Sequence, residues 1–255
     1  MEGSSKRKIY KKRTVKRTAR KPSRSRSPSS SRQPPRPPKF VPRRNDTYVF
    51  VDGSAFNNTR KSMRSKGGVG VFFGKDDPRN ISEPFYQFPA TNNRTELYAV
   101  IKALESYAGH KFKTGVALKR TSRPSNLKIF CDSEYVIKSV TQWIKKWKYN
   151  GWKTVGGKDV LNKELIVCLD KLLETYGGVV NITFHHVKAH REGRMIPKDL
   201  GSEEYYIWYG NWWADRFAVN GSKLSVGGSK PMEDKSKRVN LSKENNLKEI
   251  MKLFV

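Results

Sequence analysis

Apolar positions are sparse over the first 45 residues and arrive in dense runs from Tyr48 onward. YVFVDGSAF (48–56) and GGVGVFFG (67–74) are short β-rich runs joined by a polar stretch holding Asn57 and Asn58, and ISEPFYQF (81–88) is a third. Three strands with short connections predict an antiparallel meander. Leu97, Val100, Ile101 and Leu104 then recur at i, i+3, i+4 and i+7, the stripe of an amphipathic helix starting near Asn93 and ending around Gly109. After a basic loop, LKIFCDS predicts a fourth strand ending at Asp132, and EYVIKSVTQWIKKW a helix that breaks before Gly151. Leu161, Leu165, Leu169, Leu172 and Tyr176 mark another helix, NITFHHV a fifth strand, and WWADRFAV a terminal helix capped by Gly221.

This order predicts an α/β domain: one mixed sheet with helices over its faces, because strand–helix–strand segments favour parallel neighbours. Three regions are expected: a disordered basic arm over 1–45, a folded domain over 46–221, and a polar segment over 222–255 whose weakly apolar end, LKEIMKLF, reads either as tail or as a short, loosely packed helix. No repeat of 20–50 residues is visible, and no apolar run is long enough to cross a bilayer, so no membrane is expected.

Charge sharpens the picture. The formal net charge is +29, and a polyanion is the partner that best repays it, through counterion release. Nucleic acid leads, ahead of an anionic membrane surface. Residues 1–45 hold seventeen Lys and Arg against one acid, Glu2, with Ser-Arg repeats followed by PPRPP. Such a segment cannot form a core. Its KRK and KKR clusters read as a nuclear-import signal for an import receptor, as a nucleic-acid tether, or as a solvated tail. A mitochondrial presequence is disfavoured by Glu2 and by the lack of an apolar amphipathic face. The two cysteines, Cys131 and Cys168, lie in apolar runs and give neither a disulfide framework nor zinc spacing.

Four acids stand where acids are unusual: Asp52 inside the first strand, Glu96 in the first turns of a helix, Asp132 at the end of the fourth strand and Asp215 in the last helix. Any one alone reads first as a strand-end or cap residue; that reading weakens when the four recur together. Carboxylates beside buried strands are costly unless a cation or hydrogen bonds compensate them, and hard oxygen ligands select magnesium or manganese over zinc.

YVFVDGS, TNNRTELYAVIKAL, CDSEYVIKSVTQWIKKWKYNGWK, HHVKAH and GNWWADRFA resemble, in order, the signature segments of type 1 ribonuclease H, over roughly residues 47–220. GKDVLNKE with GWKT is similar to the cellular enzymes in particular. The resemblance implies the ribonuclease H-like fold, a five-stranded mixed sheet with helices on both faces. It implies endonucleolytic hydrolysis of the RNA strand of RNA–DNA hybrids by two magnesium ions, with manganese as a substitute, leaving 5′-phosphate and 3′-hydroxyl ends. On that carry-over Asp52, Glu96, Asp132 and Asp215 bind metal, Asp52 bridging both ions, and His190 is the family's mobile histidine that assists proton transfer or product release.

The resemblance also implies substrate contacts. Asn58, Asn92 and Asn93 match readers of RNA 2′-hydroxyls, while Glu134 stands where the family often has Gln or Met. Thr91 and Asn162 match a pocket for a DNA phosphate, with Pro89 where some cellular members have Arg. Tyr135 and Trp143 line a deoxyribose groove. Lys145, Lys146, Lys148 and Lys153 interleave with Trp143, Trp147 and Trp152 as a basic projection, although a core role for two of these tryptophans competes with contact.

The main departure is the stretch between His190 and Asp215, twenty-four residues where the family usually has a shorter loop. Its aromatics, Tyr205, Tyr206, Trp208 and Tyr209, read either as a lid or partner surface beside the site or as a self-packed excursion. The competing functions are a non-catalytic nucleic-acid-binding module on the same fold and a detached reverse-transcriptase-type or transposase-like nuclease domain. A splicing protein suggested by the Ser-Arg run explains nothing after Tyr48. A monomer in the nucleus is the expectation.

Overall fold

The computed structural model describes residues 34–56, 66–87, 89–113, 124–188 and 196–224. Strand β1 (Asp46–Phe56) pairs antiparallel with β2 (Lys66–Phe72), which pairs antiparallel with β3 (Ile81–Phe85). On its other side β1 pairs parallel with β4 (Ser125–Cys131), and β4 with β5 (Val180–His186). The sheet order is β3-β2-β1-β4-β5, the mixed five-stranded sheet that the sequence predicts.

Alternation along the strands gives the sheet two apolar faces. Val49, Val51, Val69, Val71, Leu127 and Ile129 pack under α1 (Asn92–Lys113) and α4 (Lys163–Gly177) in the larger core. Tyr48, Phe50, Phe72 and Phe130 face the other way, under α5 (Glu203–Leu224), with Tyr205, Tyr209 and Ala214. The helices therefore lie on both faces.

Several expected boundaries move, each for a local reason. Helix α1 runs past Gly109, where nothing crowds the chain and no break is imposed. The single helix expected over 134–147 is α2 (Glu134–Lys138), a π-helical turn over Ser139–Trp143, and α3 (Ile144–Tyr149). Within that turn the Thr141 hydroxyl donates to the Ile137 carbonyl at 2.7 Å, offering the backbone a competing partner where the α ladder slips. Leu161 lies before α4 rather than in it, because Asn162 has a left-handed backbone (φ 61°) that no right-handed helix can run through.

Helix α5 begins well before the expected WWADRFAV run. The Ser202 hydroxyl accepts the Tyr205 N–H at 3.1 Å, and Glu203 and Glu204 occupy the first turn, both favourable at a helix N-terminus. Gly221 does not cap it; the helix continues to Leu224, and a Cβ at Gly221 would come within 2.3 Å of the Glu83 carbonyl oxygen. Gly221 is a point of close approach to β3.

Residues 1–33 of the expected arm and 225–255 of the expected tail lie outside the described residues. The arm's last residues are packed against the domain: the Lys39 N–H donates to the Leu200 carbonyl at 2.7 Å, and the Tyr205 hydroxyl donates to the Arg36 carbonyl at 2.8 Å. The Phe40 ring sits 5.4 Å from Tyr206 and 6.2 Å from Tyr48. Tyr205, Tyr206 and Tyr209 thus form the first turns of α5 and its packing, a self-packed arrangement rather than a lid.

Candidate active site

Asp52 is the centre of the site. Even-numbered residues of β1 face α5, so Asp52 follows Tyr48 and Phe50 on that face, 9% exposed, at the end of an otherwise apolar stripe. Val51 pairs with Cys131 in the parallel β1–β4 register, so the next residue of each strand path, Asp52 and Asp132, stand side by side at the carboxyl end of the central pair.

Glycines bring the other two acids in. A Cβ on Gly53 would lie 2.2 Å from the Glu96 backbone nitrogen, so the absence of a side chain lets the start of α1 close on β1 and deliver Glu96. Asp52 pairs across the antiparallel ladder with Gly70, whose Cβ would lie 2.0 Å from the Ala214 carbonyl oxygen. That contact seats α5 against β2 one residue before Asp215.

The electrostatics record the convergence. Burial drives the Asp52 carboxyl well above the usual carboxylate range; Asp132, Asp215 and Glu96 raise it further, and only the Gly53 N–H, 2.8 Å from Oδ1, opposes. Burial likewise pushes Glu96 up to about 7, against the Ser133 hydroxyl that donates to its Oε2 at 2.6 Å, with Asp132 adding to the rise. Such repulsion is relieved by a divalent cation, and a donor set made only of carboxylate oxygens suits magnesium or manganese. Among the described residues no three His, Cys, Asp or Glu side chains stand close enough to hold an ion as they are, so a cation would have to draw the carboxylates in. By donor chemistry and shared charge, the four acids fit that role.

The expected substrate residues divide. His190 and Asn58 lie outside the described residues. The Asn92 side chain accepts the Ala55 N–H at 3.1 Å, tying α1 to β1, while Asn93 is exposed. Thr91 immediately precedes α1, its carbonyl accepting the N–H groups of Arg94 and Thr95 at 3.0 Å each. Asn162 donates to the Tyr135 hydroxyl at 3.1 Å, joining the expected phosphate pocket to the expected deoxyribose groove, where Tyr135 and Trp143 sit 6.1 Å apart edge to face. Glu134 is exposed and ion-paired with Lys138, whose hydrogen bond, and then its charge, lowers the Glu134 pKa.

On the basic projection, Trp147 and Trp152 pack against the main core and Trp143 is half-buried beside Trp147, so two of the three tryptophans are structural. Lys148 is held by Asp170 and Glu174 at 2.8 and 2.9 Å, and Lys153 by Asp159 at 2.6 Å. Lys145 and Lys146 are exposed, with no ion pair to another of the described residues.

Sequence reasoning missed Ser133, which orients Glu96 and also accepts the Val136 N–H as the cap of α2; its place after Asp132 and before a helix was the available signal. It also missed Arg94, buried at the start of α1 and paired with Glu164 at the start of α4, for which the sequence offers no local cue.

Fold and site define a mixed α/β domain with an all-carboxylate centre at the carboxyl end of its paired central strands. Residues 44–223 match the RNase H family model, and the chain belongs to the RNase H family. It is 40% identical over 142 residues to the ribonuclease H of Schizosaccharomyces pombe, covering 56% of this chain and 46% of that one. It is 34% identical over 179 residues to human ribonuclease H1, covering 69% and 50%. It is 34% identical over 156 residues to the ribonuclease H of Thermosynechococcus vestitus, covering 61% and 80%. The chain spans about half the length of the eukaryotic relatives it matches.

Proposed function

We propose that this chain is an endonuclease that hydrolyses the RNA strand of RNA–DNA hybrids, using two magnesium ions, replaceable by manganese, and leaving 5′-phosphate and 3′-hydroxyl ends. The observation that carries the reading is the buried Asp52 carboxylate, whose charge is opposed by three other acids delivered from the residue after β4, from α1 and from α5. Bound metal would supply the activation of water and the stabilisation of the departing 3′-oxygen. Asp52, Glu96, Asp132 and Asp215 would hold it, Asp52 serving both ions, and Ser133 keeps Glu96 turned toward the centre.

The remaining residues bind and orient. Lys145 and Lys146 offer exposed cationic tips to a phosphate backbone, and Tyr135 with Trp143 offers a flat apolar edge for sugars. Asn93 suits the reading of 2′-hydroxyls, which requires donor and acceptor together. His190 assists proton transfer or product release. The basic arm supports both a nucleic-acid tether and import to the nucleus through its KRK and KKR clusters.

The test is cleavage of a strand-labelled RNA–DNA hybrid with magnesium by the wild type and Asp132→Asn, beside RNA–RNA and DNA–DNA duplexes. Cutting of the hybrid's RNA strand alone, lost in the variant, is the expected outcome. Tight binding without cutting by the wild type would replace the enzyme with a binding module.

A further inference from the structure

Two adjacent histidines close strand β5, and alternation sends them to opposite faces. The His185 ring stacks on Phe130 at 4.9 Å and shares a hydrogen bond of 2.8 Å with the Thr183 hydroxyl, so it belongs to the apolar face under α5. The His186 ring is exposed, yet its Nε2 lies 3.2 Å from the backbone carbonyl oxygen of Asp132. A carbonyl oxygen only accepts, so in this contact the ring carries its proton on Nε2 and donates it.

The contact falls where the regular ladder stops. The β4–β5 register ends at Cys131 opposite His186, and one further backbone bond extends it, from the Val187 N–H to the Cys131 carbonyl at 3.0 Å. The next carbonyl along, that of Asp132, is taken up by a side chain in place of a strand. It opens the turn that arms the site. The Ser133 N–H donates to Cys131 Sγ at 3.3 Å, its hydroxyl accepts the Val136 N–H at 3.4 Å and donates to Glu96 Oε2 at 2.6 Å. The peptide unit held by His186 joins the residue that carries one carboxylate to the residue that orients another.

We propose that His186 is a positioning residue for the carboxylate centre, holding the Asp132–Ser133 peptide so that Asp132 and, through Ser133, Glu96 present their oxygens together to a divalent cation. This rests on the reading of the four acids as metal ligands. Partners that orient ligands from behind typically change metal affinity or activity by about 10- to 100-fold when removed, and His186 stands in that relation to two ligands at once.

The experiment uses the full chain with His186→Ala and His186→Gln, the latter keeping a side-chain N–H donor. Binding of manganese is followed by the electron paramagnetic resonance of the free ion, with hybrid-cleavage kcat and KM and metal-free Tm measured alongside. The expected result for His186→Ala is about tenfold weaker manganese binding and about tenfold lower kcat, with KM within about twofold. Its metal-free Tm should stay within about 2 °C, because an exposed side chain is removed, and the Gln variant should recover most of both losses. Unchanged manganese affinity in His186→Ala, a change in KM alone, or no recovery with Gln would each overturn the proposal. Because metal binding is read without substrate, a wild type that binds manganese and cuts no hybrid would fail the proposed function while leaving the His186 comparison intact.

Discussion

Replacing Glu96 by Gln should stabilise the metal-free protein while removing its activity, and the stabilisation should grow with pH. Glu96 is raised from its ordinary 4.5 to about 7, first by burial and further by Asp132. A carboxyl whose folded pKa lies above its unfolded value contributes fully to stability below about pH 4.5, and that contribution is lost as pH rises through about 7. At about 1.4 kcal/mol per pH unit the interval corresponds to about 3 kcal/mol, which partial access of water to Glu96 reduces to about 1–2 kcal/mol. Gln has no charge to lose, and its amide oxygen can still accept from the Ser133 hydroxyl that now bonds Oε2 at 2.6 Å.

The assay is thermal unfolding in chelator from pH 4.5 to 9. The two proteins should coincide near pH 4.5, and Glu96→Gln should melt about 3–6 °C higher above pH 8, where a domain of this size gains about 2–4 °C per kcal/mol. Adding magnesium should raise the wild type more than the variant and narrow the gap. A difference between the curves that does not change with pH would refute the reasoning, since it would mean that the Glu96 carboxyl is not being held against its own ionisation.

Gly70→Ala should cost about 2–4 kcal/mol in denaturant unfolding and about 100-fold in single-turnover cleavage, because a Cβ 2.0 Å from the Ala214 carbonyl forces α5, and Asp215 with it, outward by about 1 Å; wild-type cleavage would refute this. Removing residues 1–35 should flatten the salt dependence of hybrid binding and leave Tm and the chemical step unchanged, whereas removal through 45 should also lower Tm by stripping Phe40 and Lys39 from the Tyr206 and Leu200 contacts; equal Tm values for the two truncations would sink that distinction. Lys145→Ala and Lys146→Ala should each reduce the slope of log affinity against log salt by about 1, while Lys148→Ala, already held by Asp170 and Glu174, should change it less; salt titrations of hybrid binding decide it.

The strands, the helices and the four acids were legible because each leaves a local trace: alternation in VFVDGS, the i, i+3, i+4, i+7 stripe after Asn93, and carboxylates in apolar company. The features that were not legible depend on residues distant in the chain. The start of α5 could not be separated from a loop, because the aromatics of 205–209 pack on Tyr48, Phe50 and Phe72 of the sheet and on Phe40 from the arm. Gly221 read as a cap because the sequence shows the missing side chain and not Glu83 opposite it. Arg94 and Glu164 lie seventy positions apart and meet only through the α1–α4 packing. Lys148 looked as available as Lys145 until α4 brought Asp170 and Glu174 beneath it.

The same separation explains how one strand can serve both the core and the chemistry. Along β1, Tyr48, Phe50 and Asp52 point to one face; the first two join an aromatic cluster with Phe130, Phe72 and the tyrosines of α5, and the third is left among carboxylates. Each fully buried large apolar side chain contributes about 1.5–3 kcal/mol, so one or two of them outweigh the about 1–2 kcal/mol by which Glu96 opposes folding at neutral pH. The fold can therefore keep its acids near one another before any cation arrives, with the Asp52 and Glu96 carboxyls raised above their ordinary range, and the glycines that replace side chains at Gly53 and Gly70 convert that packing into convergence on Asp52. On the proposed reading a divalent ion would complete that convergence, drawing together carboxylates that the apolar face of the same strand already holds in one neighbourhood.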